Sequence, residues 1–272
     1  MANNLINAGF HVVVHSRSQG PVTELVAMGA TQADYPGEVA ALADVVCTCL
    51  PDAEASETVY LASNGLVAAA RPTNLFIETS TIAPSLARRV AADAQASGAG
   101  YVDAPVSGGV EGAEKATLTI MAGGETSDVE RAKPVLQAMG ANIHHVGGVG
   151  QGSVVKLINQ LLVAVHTQAA CEAMLLGIKA GADPAQLLDV LSSSWGTSAM
   201  LGRTGPLVIS GDYGSRAPMR LIAKDIALVS ELASETGLSL PLVERATAAI
   251  DDAMKRGLAE SDIAALASLY SL

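Results

Sequence analysis

Cysteine is scarce. Cys47, Cys49 and Cys171 are the only three in 272 residues, and no C-x-x-C pair occurs. An odd, scattered set argues against a disulfide framework and a zinc site, and it fits a reducing, cytoplasmic setting. Basic residues are few as well: 16 Lys and Arg stand against 27 Asp and Glu, a formal net charge of −11. With no basic cluster, nucleic acid and anionic membranes are poor partners, and an anionic substrate needs a local positive site. No uninterrupted apolar run approaches 18 residues, and Met1-Ala2-Asn3-Asn4 carries neither the basic nor the apolar segment of a secretory leader. Residues 1–30 also lack any G-x-G-x-x-G.

What is present is an apolar chain, 50% hydrophobic and only 16% charged. That supplies a sizeable core for one large domain or two modest ones. A mean hydropathy of +0.36 is high for a soluble monomer and points to apolar helix surface buried between subunits, in a homodimer or homotetramer. Residues 1–148 alternate short β-rich runs (10–15, 45–50, 75–79, 100–103, 117–122, 142–146) with Ala-rich helical ones (21–28, 38–43, 84–97). Such alternation predicts an α/β domain with a doubly wound, mostly parallel, Rossmann-like sheet. From 151 onward only helical runs remain (184–194, 219–237, 240–257, 261–269), so residues 149–272 read as an all-α domain joined by a long helix.

That helix opens with Gly150-Gln151-Gly152-Ser153-Val154-Val155-Lys156-Leu157-Ile158-Asn159 and holds no proline before Ala180. Leu157, Leu161 and Val165 recur every four residues, thickened by Ile158, Leu162 and Ala169. At about 30 residues the helix is about 45 Å long. Lys156 and Asn159, three apart, share a face of its first two turns. A lysine near a helix N-terminus works against the dipole, which suits a side chain that must lose its proton better than a structural one. The bland alternative is a solvated lysine.

The N-terminus is abnormal. The first predicted element is a helix over 2–8 closed by Gly9, whereas a dinucleotide-binding sheet begins with a central strand and a glycine-rich turn.

Three motifs now stand in order: Asp103-Ala104-Pro105-Val106-Ser107-Gly108-Gly109, the 150–159 stretch, and Lys224-Asp225-Ile226. Together they resemble the β-hydroxyacid dehydrogenase family, of the 3-hydroxyisobutyrate and tartronate semialdehyde type, over essentially the whole chain. The run 159–166 with Gly211-Asp212-Tyr213 resembles the L-threonate branch. Set against that family, Met1 to Leu5 resembles the middle of the first helix. The resemblance therefore implies an N-terminally truncated nucleotide domain without its first strand and glycine loop, which would bind cofactor poorly.

The resemblance implies an oxidoreductase transferring a hydride between NAD or NADP and a small hydroxy acid, with catalysis in a cleft between the domains. Oxidising an alcohol leaves a hydroxyl proton to remove. A buried neutral lysine can take it and return it, because desolvation lowers an amine's pKa toward 7. The resemblance gives that role to Lys156, with Asn159 orienting the substrate hydroxyl or holding the lysine. The family often has a second Asn next; here it is Gln160. Ser107-Gly108-Gly109 can offer a hydroxyl and consecutive N–H groups to a carboxylate. Lys224 is implied to lie near cofactor or substrate. Leu50 and Pro51 match the loop at the nicotinamide-side ribose, and Thr81 a hydrogen-bonding position there. Where NAD enzymes place Asp or Glu for the ribose 2′-OH, this chain has Ser16-Arg17-Ser18, which favours NADP.

His144 and His145 lack a third ligand, so no metal site is read from them. His166 lines either the cleft or a core, and Trp195, Asp212 and Tyr213 are candidates for facing substrate. Two other readings remain: a catalytically impaired homologue serving as an interaction module, and an imine reductase, against which Lys156 weighs.

Overall fold

The computed structural model describes residues 1–270. They form two compact units, Met1–Lys156 and the residues from Leu157 onward. The division falls inside one helix.

The first unit begins with α1 (Ala2–Asn7), β1 (Val13–Val14), α2 (Gln19–Ala27), β2 (Thr31–Gln32), α3 (Pro36–Leu42), β3 (Val45–Thr48), α4 (Ala53–Leu61), β4 (Leu75–Glu78), α5 (Pro84–Ala96) and β5 (Gly100–Asp103). It continues through β6 (Val106–Ser107), α6 (Gly109–Glu114), β7 (Leu118–Gly123), α7 (Thr126–Gln137) and β8 (Gly140–Gly147). The larger sheet runs β3-β4-β5-β7-β6, with β8 also on β7. β3, β4 and β5 are parallel, and β7 is antiparallel to β5 and β6. All four residues of β4 are buried, as a central strand covered on both faces demands. Tyr60, Phe76 and Tyr101 fill one face. Leu75, Ile77, Val102 and Ile120 fill the other.

β1 pairs only with β2, as a separate two-stranded sheet. The larger sheet starts afresh at β3. The expectation of a first helix starting near residue 2 holds. α1 is anchored by packing of Met1 and Leu5 on the sheet and by Asn4 Nδ2 donating to the Ala113 carbonyl at 2.8 Å.

The second unit takes most of α8 (Gln151–Lys179), then α9 (Pro184–Ser192), α10 (Ala199–Ser210), α11 (Met219–Thr236), α12 (Pro241–Lys255) and a 3₁₀ segment, Ile263–Leu269. Its core joins Leu157, Met174, Ile226 and Ile250. Fully burying such side chains stabilises by roughly 1.5–3 kcal/mol each. The predicted stripe on α8 needs correction. Leu157, Leu161 and Val165 face the core, but Ile158, Leu162 and Ala169 are exposed. By length and composition α8 could cross a membrane, yet Leu157, Ala164, Cys171 and Met174 have no exposure at all in this core.

α10 escaped the sequence reading because Gly202, Gly205 and Pro206 look like breakers. Gly205 lies against Leu188, where an added Cβ would meet a methyl at 2.5 Å, and the Ser198 hydroxyl caps the helix at Leu201 N. Asp262, wholly buried, accepts from both terminal nitrogens of Arg203 at 3.0 and 2.5 Å and from Ala217 N and Ala264 N. A buried carboxylate so fully partnered is tolerable where an unpaired one is not.

Candidate active site

The C-terminal edge of an open parallel sheet is where α/β proteins place their ligands. Here β3, β4 and β5 end in register on Thr48, Glu78 and Asp103, polar side chains at the rim of an otherwise apolar sheet. All three are buried.

The exits of β3 and β4 are stitched together. Thr79 donates its hydroxyl to the Thr48 carbonyl at 2.6 Å, and Leu50 N donates to Ser80 Oγ at 2.6 Å. Glu78 Oε1 accepts from Ser80 N at 2.8 Å, and burial raises the Glu78 carboxyl above its ordinary range. Asp52 caps α4 by accepting from Ala55 N. The loop carrying Leu50 and Pro51 is thus fixed at both ends, beside the loop carrying Thr81.

β5 ends in a carboxylate that reaches a helix about fifty residues away. Asp103 Oδ1 accepts from Gly150 N and Oδ2 from Ser153 N, each at 2.7 Å. Gly150 immediately precedes α8 and Ser153 lies in its first turn, where N–H groups have no partner within the helix. Burial pushes the Asp103 carboxyl from 3.8 up to about 6, against the pull of those two N–H groups. The approach is close enough to demand glycine. A Cβ on Gly152 would lie 2.3 Å from the Asp103 and Met121 carbonyl oxygens, and one on Gly123 would lie 2.6 Å from Gly152 N. Lys156, one turn along, is only 7% exposed. It is not a solvated lysine.

Ser107 is half-buried on β6, opposite Thr119. Gly108 and Gly109 follow with φ of +134° and +63°, a turn L side chains rarely adopt, and both are exposed. Ser16 and Arg17 follow β1 and are exposed, with Ser18 N donating to Ser16 Oγ at 3.2 Å. They stand beyond the smaller sheet rather than on the β3–β5 edge.

In the second unit, Asn159 and Lys224 lie on one polar chain. Asn159 Nδ2 donates to Gln160 Oε1 at 3.0 Å. Gln160 Nε2 donates to Asp225 Oδ2 at 2.5 Å, and Lys224 Nζ pairs with Asp225 Oδ1 at 2.9 Å. Asp225 is buried. The Gln160 amide is therefore engaged within the protein through both its oxygen and its nitrogen. Of the bland candidates, His145 Nε2 lies 2.9 Å from the Gly124 carbonyl, and Trp195 is fully exposed.

The sequence reading quoted Asp103 and Asp225 inside their motifs without giving either a role, and noted Gln160 only as the replacement for a second Asn. A signal existed for the first: an aspartate ending a buried strand needs partners, and Gly150-x-Gly152 marks a backbone something approaches closely.

The profile of the NAD-binding domain of 6-phosphogluconate dehydrogenase matches residues 1–147. That of the NAD-binding domain of NADP-dependent 3-hydroxyisobutyrate dehydrogenase matches 150–270. The chain is 35% identical to 2-(hydroxymethyl)glutarate dehydrogenase of Eubacterium barkeri, over 99% of this chain and 90% of that one. It is 37% identical to NAD-dependent L-serine dehydrogenase of Pseudomonas aeruginosa, over 99% and 93%. The structure of Mycobacterium tuberculosis 3-hydroxyisobutyrate dehydrogenase with L-serine superposes with a TM-score of 0.89 at 33% identity, covering 99% of this chain and 94% of that one. An imine reductase from Pseudomonas sp., at 20% identity over 97% and 92% and a TM-score of 0.63, shares the fold alone. With both halves matched by these profiles and relatives above 30% identity along its whole length, the chain belongs to the β-hydroxyacid dehydrogenase family, NAD(P)-dependent oxidoreductases of small hydroxy acids.

Proposed function

We propose that this protein interconverts a small hydroxy acid and its carbonyl counterpart, with Lys156 as general acid and base. The observation that carries the reading is the burial of Lys156 just inside the N-terminus of α8. Removal from water and the positive end of the helix dipole both disfavour an ammonium group there, so the amine can accept a proton. In oxidation its Nζ takes the substrate hydroxyl proton, and in reduction it returns it.

The first unit fits a nicotinamide cofactor. Three parallel strands end together on hydroxyl-bearing turns, and the 16–18 segment holds a guanidinium and two hydroxyls with no carboxylate. When bound, the cofactor accepts or supplies the hydride. Leu50, Pro51 and Thr81 hold its nicotinamide side, Ser16 and Arg17 its adenine ribose, and NADP is preferred. Ser107, Gly108 and Gly109 receive the substrate carboxylate through the serine hydroxyl and backbone N–H groups. Asn159 accepts from the substrate hydroxyl, and Lys224 supplies positive charge to cofactor or substrate.

Residues 1–148 form the nucleotide domain and 149–272 the substrate and oligomerisation domain of a cytoplasmic homodimer or homotetramer. The free cysteines and the exposed apolar residues of α8 support this. Candidate acids are 3-hydroxyisobutyrate, L-serine, L-threonate and tartronate semialdehyde.

The test is Lys156→Ala, assayed on that set with NADP and NAD. Turnover should fall by about 10²–10⁴-fold, the usual worth of general acid–base catalysis, with an unchanged thermal midpoint. Near-normal turnover refutes the assignment.

A further inference from the structure

We propose that Asp103 is a positioning residue: by closing the first turn of α8 it holds Lys156 in its working orientation. The inference rests on the role given to Lys156, but its geometry does not. Asp103 is wholly buried, and its two oxygens each accept one N–H, from Gly150 and Ser153, at 2.7 Å. A carboxylate bridging the N–H groups of two residues three apart fixes both the direction and the rotation of the helix end. Lys156 is three residues beyond Ser153, one turn along the same face. The glycines at 123 and 152 let the helix end come within contact of β5 and β7, so the cap acts over a rigid distance.

The bridge is strongest when both oxygens accept as a carboxylate; protonation turns one of them into an O–H donor and a poor acceptor. Burial has already moved this group up to about 6. Its titratable and charged surroundings are Glu78 in register on β4, Tyr101 on its own strand, and Arg88 of α5, whose guanidinium lies against Gly150; Lys156 stands one turn beyond Ser153 on α8. Below about pH 6 one acceptor is weakened and the first turn of α8 loosens.

The sign separates positioning from plain support. The folded state binds this proton more tightly than the unfolded chain does. Asp103 therefore withdraws stability as pH rises from about 4 through 6, while the same ionisation completes the cap and raises turnover. A residue that only stabilised would move both quantities together.

The experiment uses the whole protein and its Asp103→Asn variant, followed by hydrogen exchange of 150–157 and by turnover in the reductive direction, from pH 5 to 8, with tartronate semialdehyde as probe. In reduction Lys156 must be protonated, so it contributes only an alkaline limb, and an acid limb belongs to another group. The expected results are wild-type exchange protection at 150–157 that weakens below pH 6 beyond the intrinsic pH effect, and a variant that is weakly protected throughout. The variant should also lose the acid limb and turn over about 10²-fold more slowly at pH 8, the usual penalty of an ångström-scale misplacement, with little change in cofactor KM. A pH-independent protection in the wild type overturns the proposal, even if the variant fails to fold or the probe is not reduced. Wild-type turnover with an intact acid limb in Asp103→Asn also overturns it. If Lys156→Ala remains active while the exchange results hold, the catalytic assignment fails and the cap stands.

Discussion

Replacing Gly152 by alanine adds one carbon at the tightest contact of the first unit. That carbon would stand 2.3 Å from two carbonyl oxygens, those of Asp103 and Met121. Neither can rotate away, because both belong to strands at the centre of the larger sheet. To reach ordinary van der Waals distance, the N-terminal turn of α8 must retreat by about 1 Å, and the Asp103 bonds to Gly150 and Ser153 lengthen with it. Overpacking costs about 1–3 kcal/mol, and a contact with backbone on both sides belongs at the upper end. At about 2–4 °C per kcal/mol for a domain of this size, the thermal midpoint should fall by roughly 6–12 °C. A displacement of that order also misplaces Lys156, so turnover should drop by about 10²-fold in the protein that remains folded. Gly202→Ala is the control: it lies inside α10, has nothing within 4 Å of its added carbon, and should stabilise by about 0.5–1 kcal/mol. Calorimetry and steady-state kinetics on the three proteins decide the matter. A Gly152→Ala enzyme with wild-type midpoint and turnover would show that the helix end is not held by close packing.

Two further outcomes follow from the proposed function. The ratio of kcat/KM for NADP over NAD should exceed one and should fall on Arg17→Ala, whose side chain is exposed beyond β1; a preference for NAD with a neutral Arg17→Ala contradicts the ribose assignment. Val155, Ile158 and Leu162 form an exposed apolar stripe on α8, so sedimentation should give a mass of two or four chains, lowered by Leu162→Glu; a monomeric wild type removes the oligomer.

The order of elements was legible in the chain because period-two and period-3.6 patterns are local. The strands of the larger sheet from β3 to β5, and the bounds of α8, α11 and α12, fall within a few residues of where alternation and breakers place them. Elements without a local signal were not. β2 is two exposed residues, and α10 carries two glycines and a proline that read as a loop until Leu188 shows what the space at Gly205 is for. The motifs likewise singled out Lys156, Ser107 and Lys224, but only the resemblance to a family gave them roles, because spacing alone reads each lysine as a solvated side chain. What only the tertiary structure decided is which group completes each of them. Asp103 lies 47 residues from Gly150, and Asp225 lies 65 from Gln160. No periodicity couples positions so far apart. A buried carboxylate must find its donors wherever the packed sheet and helices bring them, so the partner is set by packing rather than by sequence distance.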